Sequence, residues 1–245
     1  MPSDPSPVPP DPDDALVLDP DCRRCPALVA ARDHIAWGNG PRDAAVMVVG
    51  EAPAAGDPDD PEWPGGNRSG LAYTSRHSGR RIRSLLARVG VDDAFYTNAV
   101  KCFPSDIEEP GPSDSEGRGP SGSRPEADDS RTQSGDSDGS NREPTSTERS
   151  NCRKHLRAEI ETIDPAVVLP TGKHATTSLL AFDDRTLDGF LEYVLDPVDC
   201  PSLGVAAIPL LHPSYADVWR ARLGYDRESY REALAAALRS CGVDP

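Results

Sequence analysis

Four short apolar runs, rich in valine, isoleucine and leucine, punctuate a largely polar chain of 245 residues. They are AAVMVVG (44–50), AFYTNAV (94–100), AVVLPTG (166–172) and VAAIPLL (205–211). Apolar runs of about four to eight residues bounded by turn-forming residues are typical of buried strands. We therefore predict one strand in each run.

Between these runs, apolar residues recur at helical spacing, which predicts helices over 78–90, 152–163, 172–182 and 226–242. Asp226 is a candidate N-cap of the last helix, and Gly90 and Gly242 are candidate stops. Strands that alternate with helices favour right-handed crossovers and a parallel sheet covered on both faces. The predicted fold is α/β, a three-layer αβα arrangement around a four-stranded parallel sheet.

Two segments carry no such pattern. Apart from Ile107 and Ala127, residues 105–150 are all Ser, Gly, Pro, Asp, Glu, Arg, Asn, Gln or Thr, and residues 1–20 are rich in Pro and Asp. Segments with so little apolar surface cannot offset the entropy lost on ordering. We predict a disordered acidic leader over 1–20 and one domain over 21–245, interrupted by a disordered acidic insertion over 105–150.

Most of the negative charge lies in these two segments. Of a formal net charge of −15, residues 105–150 carry −7 and residues 1–20 carry −5, which leaves about −3 for everything else. At ordinary salt this acidity argues against a nucleic-acid partner, but in molar salt, where the Debye length is about 3 Å, it does not. Three lysines among 26 basic residues resemble the composition of proteins from salt-loving archaea, and so suggest a halophile.

The leader has neither a basic start nor an apolar run of signal-peptide length, and no apolar stretch of about 18 residues occurs anywhere. We expect a soluble, cytoplasmic monomer with no membrane partner. Six cysteines in that compartment are ligands or buried thiols more often than disulfides. Cys22 and Cys25, in DCRRCPAL, could form a disulfide, a redox dithiol or half of a metal site.

Polar side chains follow the predicted strands at their carboxyl ends, where open parallel sheets bind ligands. Glu51 and Asp57 follow the first strand, Asn98 ends the second, and His212 follows the fourth in HPSY. Two carboxylates, an amide and an imidazole suit proton handling and polar recognition. Each also has a purely structural interpretation: solvated or capping acids, an asparagine bound to backbone, a structural histidine and, for Tyr73, a core aromatic.

The stretches VVGEAP, TNAVKC and HPSY, in this order and at these strand ends, resemble the signature regions of the uracil-DNA glycosylase superfamily, specifically its iron-sulfur families 4 and 5. The resemblance covers residues 20–103 and 151–240. It implies a DNA-repair hydrolase that cleaves the N-glycosidic bond of uracil in DNA after flipping the nucleotide out of the duplex.

The resemblance also implies roles for individual residues. Tyr73 corresponds to the aromatic that stacks on the flipped base, and Asn98 to the amide that pairs with the base edge. Backbone amides of the turn 50–53, which includes Ala52, are expected to contact the base. His212 corresponds to the catalytic histidine that donates a hydrogen bond to the uracil O2.

Two acids are candidates for the carboxylate that positions water and stabilises the cationic sugar. Asp57 is the first candidate and Glu51 the second, although Glu51 could instead form the pocket wall that rejects a 5-methyl group. Phosphate contacts are expected from arginines near these motifs, namely Arg68, Arg76, Arg80, Arg81, Arg220 and Arg222.

The family resemblance further implies a 4Fe-4S cluster, whose ligands here would be Cys22, Cys25, Cys102 and Cys152. Four thiolates suit either an iron-sulfur cluster or a tetrahedral zinc ion, and the resemblance favours the cluster. Cys200 and Cys241 are left as structural thiols.

The chain departs from the family pattern in two places. The 49 residues between Cys102 and Cys152 replace a short connection, and GGNRSGLAYTSRHSG is closer to family 5, with Arg76 where that family has an aspartate. Two alternatives therefore stay open: a family 5-like glycosylase acting on hypoxanthine and other deaminated bases, and a non-catalytic module that binds a metal cluster.

Overall fold

The computed structural model describes residues 7–106 and 141–245. Their strands are, in chain order, β1 (Ala15–Leu16), β2 (Gly38–Asn39), β3 (Val46–Gly50), β4 (Ala94–Asn98), β5 (Val167–Pro170), β6 (Val198–Cys200) and β7 (Val205–Ala207). Their α-helices are α1 (Pro26–Ala31), α2 (Gly66–Ser69), α3 (Gly79–Arg88), α4 (Ser146–Ile163), α5 (Lys173–Leu180), α6 (Ala216–Arg222) and α7 (Arg227–Ser240).

The sheet contains the four predicted parallel strands at its centre, but it is wider than predicted. Within the described residues the strand order is β1-β2-β4-β3-β5-β7-β6, and the contacts β4-β3, β3-β5 and β5-β7 are parallel. The prediction of four strands was wrong because β1, β2 and β6 pair antiparallel at the two edges. Strands of two or three residues leave too short a pattern to detect in a sequence.

The predicted three layers are confirmed. Alternate residues of β3 face opposite sides of the sheet. Val46 and Val48 join a core that includes Ile82 of α3 and Leu234 of α7. Met47 and Val49 join a second core with side chains of α4 and α5. The four predicted helices are present, and Asp226 caps α7 by accepting hydrogen bonds from the N–H groups of its first turn.

The predicted boundaries of the two disordered segments were wrong where each segment leads into the residues that follow it, because the last residues of each form regular structure. In the leader, Asp11 caps a short turn and β1 then pairs with β2. In the insertion, α4 begins at Ser146, where Thr145 and Glu148 form a capping box. Its polar first turn resembles low-complexity sequence, yet these are the residues that satisfy the free N–H groups of a helix. Residues 1–6 and 107–140 of these predictions lie outside the described residues.

None of the helices described in the structure combines the length and the apolar character needed to cross a membrane.

Candidate active site

The carboxyl ends of the central strands surround a cavity of about 210 Å³. Five residues predicted to bind substrate line this cavity together, namely Glu51, Ala52, Tyr73, Asn98 and His212. They come from the turn after β3, the loop before α3, the end of β4 and the loop after β7. The topology therefore gathers side chains that are up to 161 positions apart in the chain.

Close backbone packing holds the first two of these segments against each other. The N–H of Ala99 donates to the carbonyl of Gly50 at 2.8 Å, which extends the β3–β4 ladder into the cavity floor. A Cβ atom on Gly50 would lie 2.3 Å from Oδ1 of Asn98 and 2.8 Å from the hydroxyl of Tyr73. Only glycine fits this close approach of three segments.

Asn98 and Tyr73 are both buried, at 4% and 7% exposure. The Tyr73 hydroxyl hydrogen-bonds Oγ1 of Thr171 at 2.6 Å, and burial raises the pKa of this hydroxyl. The side-chain amide of Asn98 makes no hydrogen bond to the rest of the described chain. Because Asn98 lines the cavity, the donor and acceptor of its amide are available to a bound molecule.

His212 is held in one tautomer by its own loop. The backbone N–H of Ser214 donates to Nδ1 of His212 at 3.2 Å, so the neutral imidazole carries its proton on Nε2. Burial, assisted by nearby His174, holds the pKa of His212 below its usual value of 6.5. At neutral pH His212 is therefore an uncharged donor through Nε2–H.

Glu51 is the half-buried carboxylate of the cavity. Burial raises its pKa; the nearby His174 opposes this shift and the carboxylate of Glu143 adds to it. Glu143 is itself bound to Nδ1 of His174 at 2.8 Å. A carboxylate with a raised pKa beside a histidine pair is suited to accepting a proton or positioning water.

Asp57, the first candidate for that carboxylate, is not among the residues that line the cavity. It is exposed, and its carboxylate accepts a hydrogen bond from the N–H of Asp59 at 2.9 Å. Its own N–H donates to the carbonyl of Pro64 at 3.0 Å. The extra acidic residues 57–62 thus form a self-capped turn, as short acidic side chains commonly do.

Sequence reasoning missed several other residues of the cavity wall, namely Pro104, Asn141, Arg142, Glu143, Thr171 and His174. Thr171 and His174 follow β5 directly, so the rule used for the other strand ends could have identified them. The rest flank the acidic insertion, whose composition predicted disorder up to residue 150. Nothing in the local pattern separates these flanks from the insertion itself.

The four predicted metal ligands also meet at one place. A small pocket beside α1 and α4 is lined by Cys22, Cys25, Cys102 and Cys152, all of them free thiols. Nη1 of Arg32 donates to Sγ of Cys102 at 3.1 Å, and Nδ2 of Asn151 donates to Sγ of Cys25 at 3.4 Å. Burial raises the pKa of Cys152 to about 11 and raises that of Cys102.

The thiol pocket and the cavity share structure. Ala52 lines the cavity and also packs against the small core that contains Cys102 and Cys152. A buried ion pair lies at the turn from Asn98 to Cys102, where Nζ of Lys101 donates to Oε2 of Glu159 at 2.6 Å. The turn between Asn98 and Cys102 is therefore fixed from two sides.

Comparison with known proteins agrees with this geometry. The family described as the uracil DNA glycosylase superfamily matches residues 37–239. The chain is 27% identical over 196 residues to the type-4 uracil-DNA glycosylase of Thermotoga maritima, covering 79% of this chain and 77% of that one. It is also 27% identical over 253 residues to the type-5 enzyme of Pyrobaculum aerophilum, covering 91% and 88%. The chain belongs to the uracil-DNA glycosylase superfamily.

Proposed function

We propose that this protein is a uracil-DNA glycosylase, which hydrolyses the bond between N1 of uracil and C1′ of deoxyribose in DNA. The observation that carries the proposal is the convergence of Asn98, Tyr73, His212 and Glu51 on one cavity in a member of this superfamily. The alternative of a non-catalytic module leaves this convergence without a reason.

Recognition of the base falls to Asn98 and Tyr73. The unpartnered amide of Asn98 offers one acceptor and two donors, which complement the N3–H and O4 of uracil. Tyr73 supplies the aromatic surface for the flipped base, and its hydroxyl bond to Thr171 fixes the ring. Flipping places the base in a pocket that duplex DNA cannot otherwise reach.

Catalysis falls to His212 and Glu51. As the glycosidic bond breaks, negative charge grows on the uracil O2, and Nε2–H of His212 donates a hydrogen bond to it. The sugar becomes cationic, water adds to it at C1′ and loses a proton, and the departing uracil anion gains one. We assign to Glu51 the positioning of that water, because Asp57 lies outside the cavity lining.

We infer that the four cysteines hold a 4Fe-4S cluster. The donor set fits, since four free thiols line one pocket and two of them accept hydrogen bonds from side chains. Within the described residues, the ligand atoms found within 4.8 Å of one another belong to Asp19, Cys22 and His155, not to three of these cysteines. Four thiolates suit either a tetrahedral zinc ion or a cluster, and membership of this superfamily together with the resemblance to its iron-sulfur families favours the cluster.

When bound, the cluster supplies a crosslink between the leader, the turn after β4 and α4. The colour of protein purified without oxygen tests this assignment. Broad visible absorption with bound iron is expected, and a colourless protein containing zinc contradicts it. The matched variant Cys200→Ser removes a thiol outside the pocket and should leave the absorption unchanged.

The activity is tested with an oligonucleotide that contains one uracil, treated with alkali to cleave abasic sites. Because the chain is acidic, the reaction is run in molar salt and at ordinary salt. We expect cleavage at the uracil and none at thymine in the same position. An oligonucleotide left intact at both salt concentrations contradicts the proposal. Hypoxanthine at that position tests the broader range.

A further inference from the structure

A second concavity, of about 500 Å³, lies beside the cavity, between α3 on one side and α6 and α7 on the other. We call it the arginine groove, because seven arginines line it: Arg76, Arg80, Arg81, Arg88, Arg220, Arg227 and Arg231. Asp217 is the acidic residue among those lining it, so its formal charge is +6. This charge stands on a chain whose net charge is −15.

The described residues that line the arginine groove carry more positive than negative charge. Arg220 and Arg227 share Asp217, at 3.0 and 3.3 Å. Arg76 and Arg80 form no side-chain hydrogen bond or ion pair with the described part of the chain. Nε of Arg220 is buried there without an acceptor. Seven guanidinium groups beside one lining carboxylate leave an excess of like charge, which favours binding of a polyanion.

The arginine groove adjoins the cavity through two shared walls. In the first, Ser75 and Ser78 line the cavity, whereas Arg76 between them lines the groove. In the second, His212 lines the cavity and the adjacent Pro213 lines the groove. A nucleotide seated in the cavity therefore places its neighbours on one side over the groove.

The length of the groove matches several nucleotides. Arg80 and Arg88 are eight residues apart on α3, about 12 Å at the helical rise of ~1.5 Å per residue. One strand of DNA advances ~3.4 Å per nucleotide along its axis, so this length spans three to four phosphates. One guanidinium group can donate two parallel hydrogen bonds to a phosphate, so arginines spread over this length suit a row of phosphates.

We propose that the arginine groove binds the sugar-phosphate backbone of the strand on one side of the flipped nucleotide. The inference rests on the proposed glycosylase function, since that function brings DNA to the cavity. It adds that the strand on one side of the flipped nucleotide crosses the groove between α3 and α7, whereas the strand on the other side does not. Substrates should accordingly gain affinity from extension on one side more than on the other.

The test compares Arg80→Gln/Arg231→Gln with Arg185→Gln/Arg239→Gln, which removes the same charge at exposed positions away from the groove. Fluorescence anisotropy measures Kd for uracil oligonucleotides extended on the 5′ or the 3′ side, over a series of salt concentrations. Each lost phosphate contact lowers the slope of log Kd against log salt by about 0.9 on duplex DNA, so about 1.8 is expected for the groove variant.

The benefit of extension on one side should also disappear in the groove variant alone, and Arg80→Lys/Arg231→Lys should restore most of it. Equal slopes for the groove and control variants would overturn the proposal, provided that thermal unfolding shows both to be folded. If binding follows the groove but no uracil is released by the unaltered protein, the glycosylase function fails and the groove stands. If uracil is released and the slopes are equal, the groove alone fails.

Discussion

Neutralising Glu159 should destabilise the protein strongly, although this residue touches no substrate. Its side chain is fully buried, as is that of Lys101 at 1% exposure. Besides the ammonium of Lys101, the carboxylate accepts hydrogen bonds from Oγ1 of Thr97 at 2.7 Å and from the N–H of Gly38 at 3.3 Å. Glu159→Gln keeps the volume and removes the charge, so the Lys101 ammonium loses its counter-charge in the core.

Removing one partner of a buried ion pair costs about 3–5 kcal/mol. Because a domain is stable by about 5–15 kcal/mol, the loss is a large share of the total. Lys101→Met in the same chain removes the stranded charge, and the Gln amide oxygen keeps one of the two remaining hydrogen bonds, since Thr97 and Gly38 donate to different carboxylate oxygens. The double variant should therefore recover at least half of the loss.

Urea denaturation measures these free energies, and the cycle of single and double variants isolates the coupling between the two residues. A loss below about 1 kcal/mol in Glu159→Gln would refute the reasoning. Uracil release should fall in the same variant, because Lys101 also donates to the carbonyl of Asn98. In the double variant uracil release should stay reduced even where stability returns, because Lys101→Met removes the hydrogen bond to the carbonyl of Asn98.

Three further predictions concern the cavity directly. His212→Ala should slow single-turnover uracil release about 100- to 1000-fold. The unaltered enzyme should keep its rate as pH rises from 6 to 8, because His212 already acts in its uncharged form. A tenfold fall in rate per pH unit above 6.5 would contradict this. Glu51→Gln should slow uracil release by about 100-fold or more while raising stability at pH 7, whereas Asp57→Asn should change the rate little. A larger loss of rate in Asp57→Asn than in Glu51→Gln would restore Asp57 as the catalytic acid. Deleting residues 110–138 should leave the fold and uracil release intact, whereas deleting 106–149 should abolish both, as circular dichroism and the oligonucleotide assay will show.

The sign of the Glu51 effect on stability follows from its pKa. Burial raises the folded-state pKa above the usual 4.5, so the folded protein holds a proton that the unfolded chain releases. The destabilisation caused by the charged carboxylate grows as pH rises through 4.5 to the raised pKa and is constant above it. The stabilising effect of Glu51→Gln should therefore vanish at pH 4, which denaturation at the two pH values measures.

The central strands and most of the cavity could be predicted because they follow from periodicity and chain order. Val46 to Gly50 form a continuous apolar run, and parallel topology then requires Glu51, Asn98 and His212 to share an edge. Edge strands could not be predicted, because Gly38 and Asn39 pair through backbone atoms that carry no side-chain signal.

The position of Asp57 shows a different limit. Counting six residues from Glu51 assigns a catalytic acid by spacing, but spacing cannot reveal how a turn folds. Here Asp57 and Asp60 accept hydrogen bonds from neighbouring backbone N–H groups, and the buried ring of Trp63 anchors the end of the segment. Local hydrogen bonds therefore decide the direction of the loop, and they become visible only in three dimensions.

The ends of the acidic insertion meet like the base of a hairpin. Ser105 pairs with Asn141, the N–H of Arg142 donates to the carbonyl of Pro104 at 3.0 Å, and Glu148 clamps the Arg142 guanidinium at 2.6 and 2.8 Å. This closed base fixes the cavity-wall residues Pro104, Asn141 and Arg142 through contacts among described residues alone. Evolution can therefore lengthen, shorten or exchange the intervening sequence without retuning catalysis, and an engineer can graft a reporter domain at the same place.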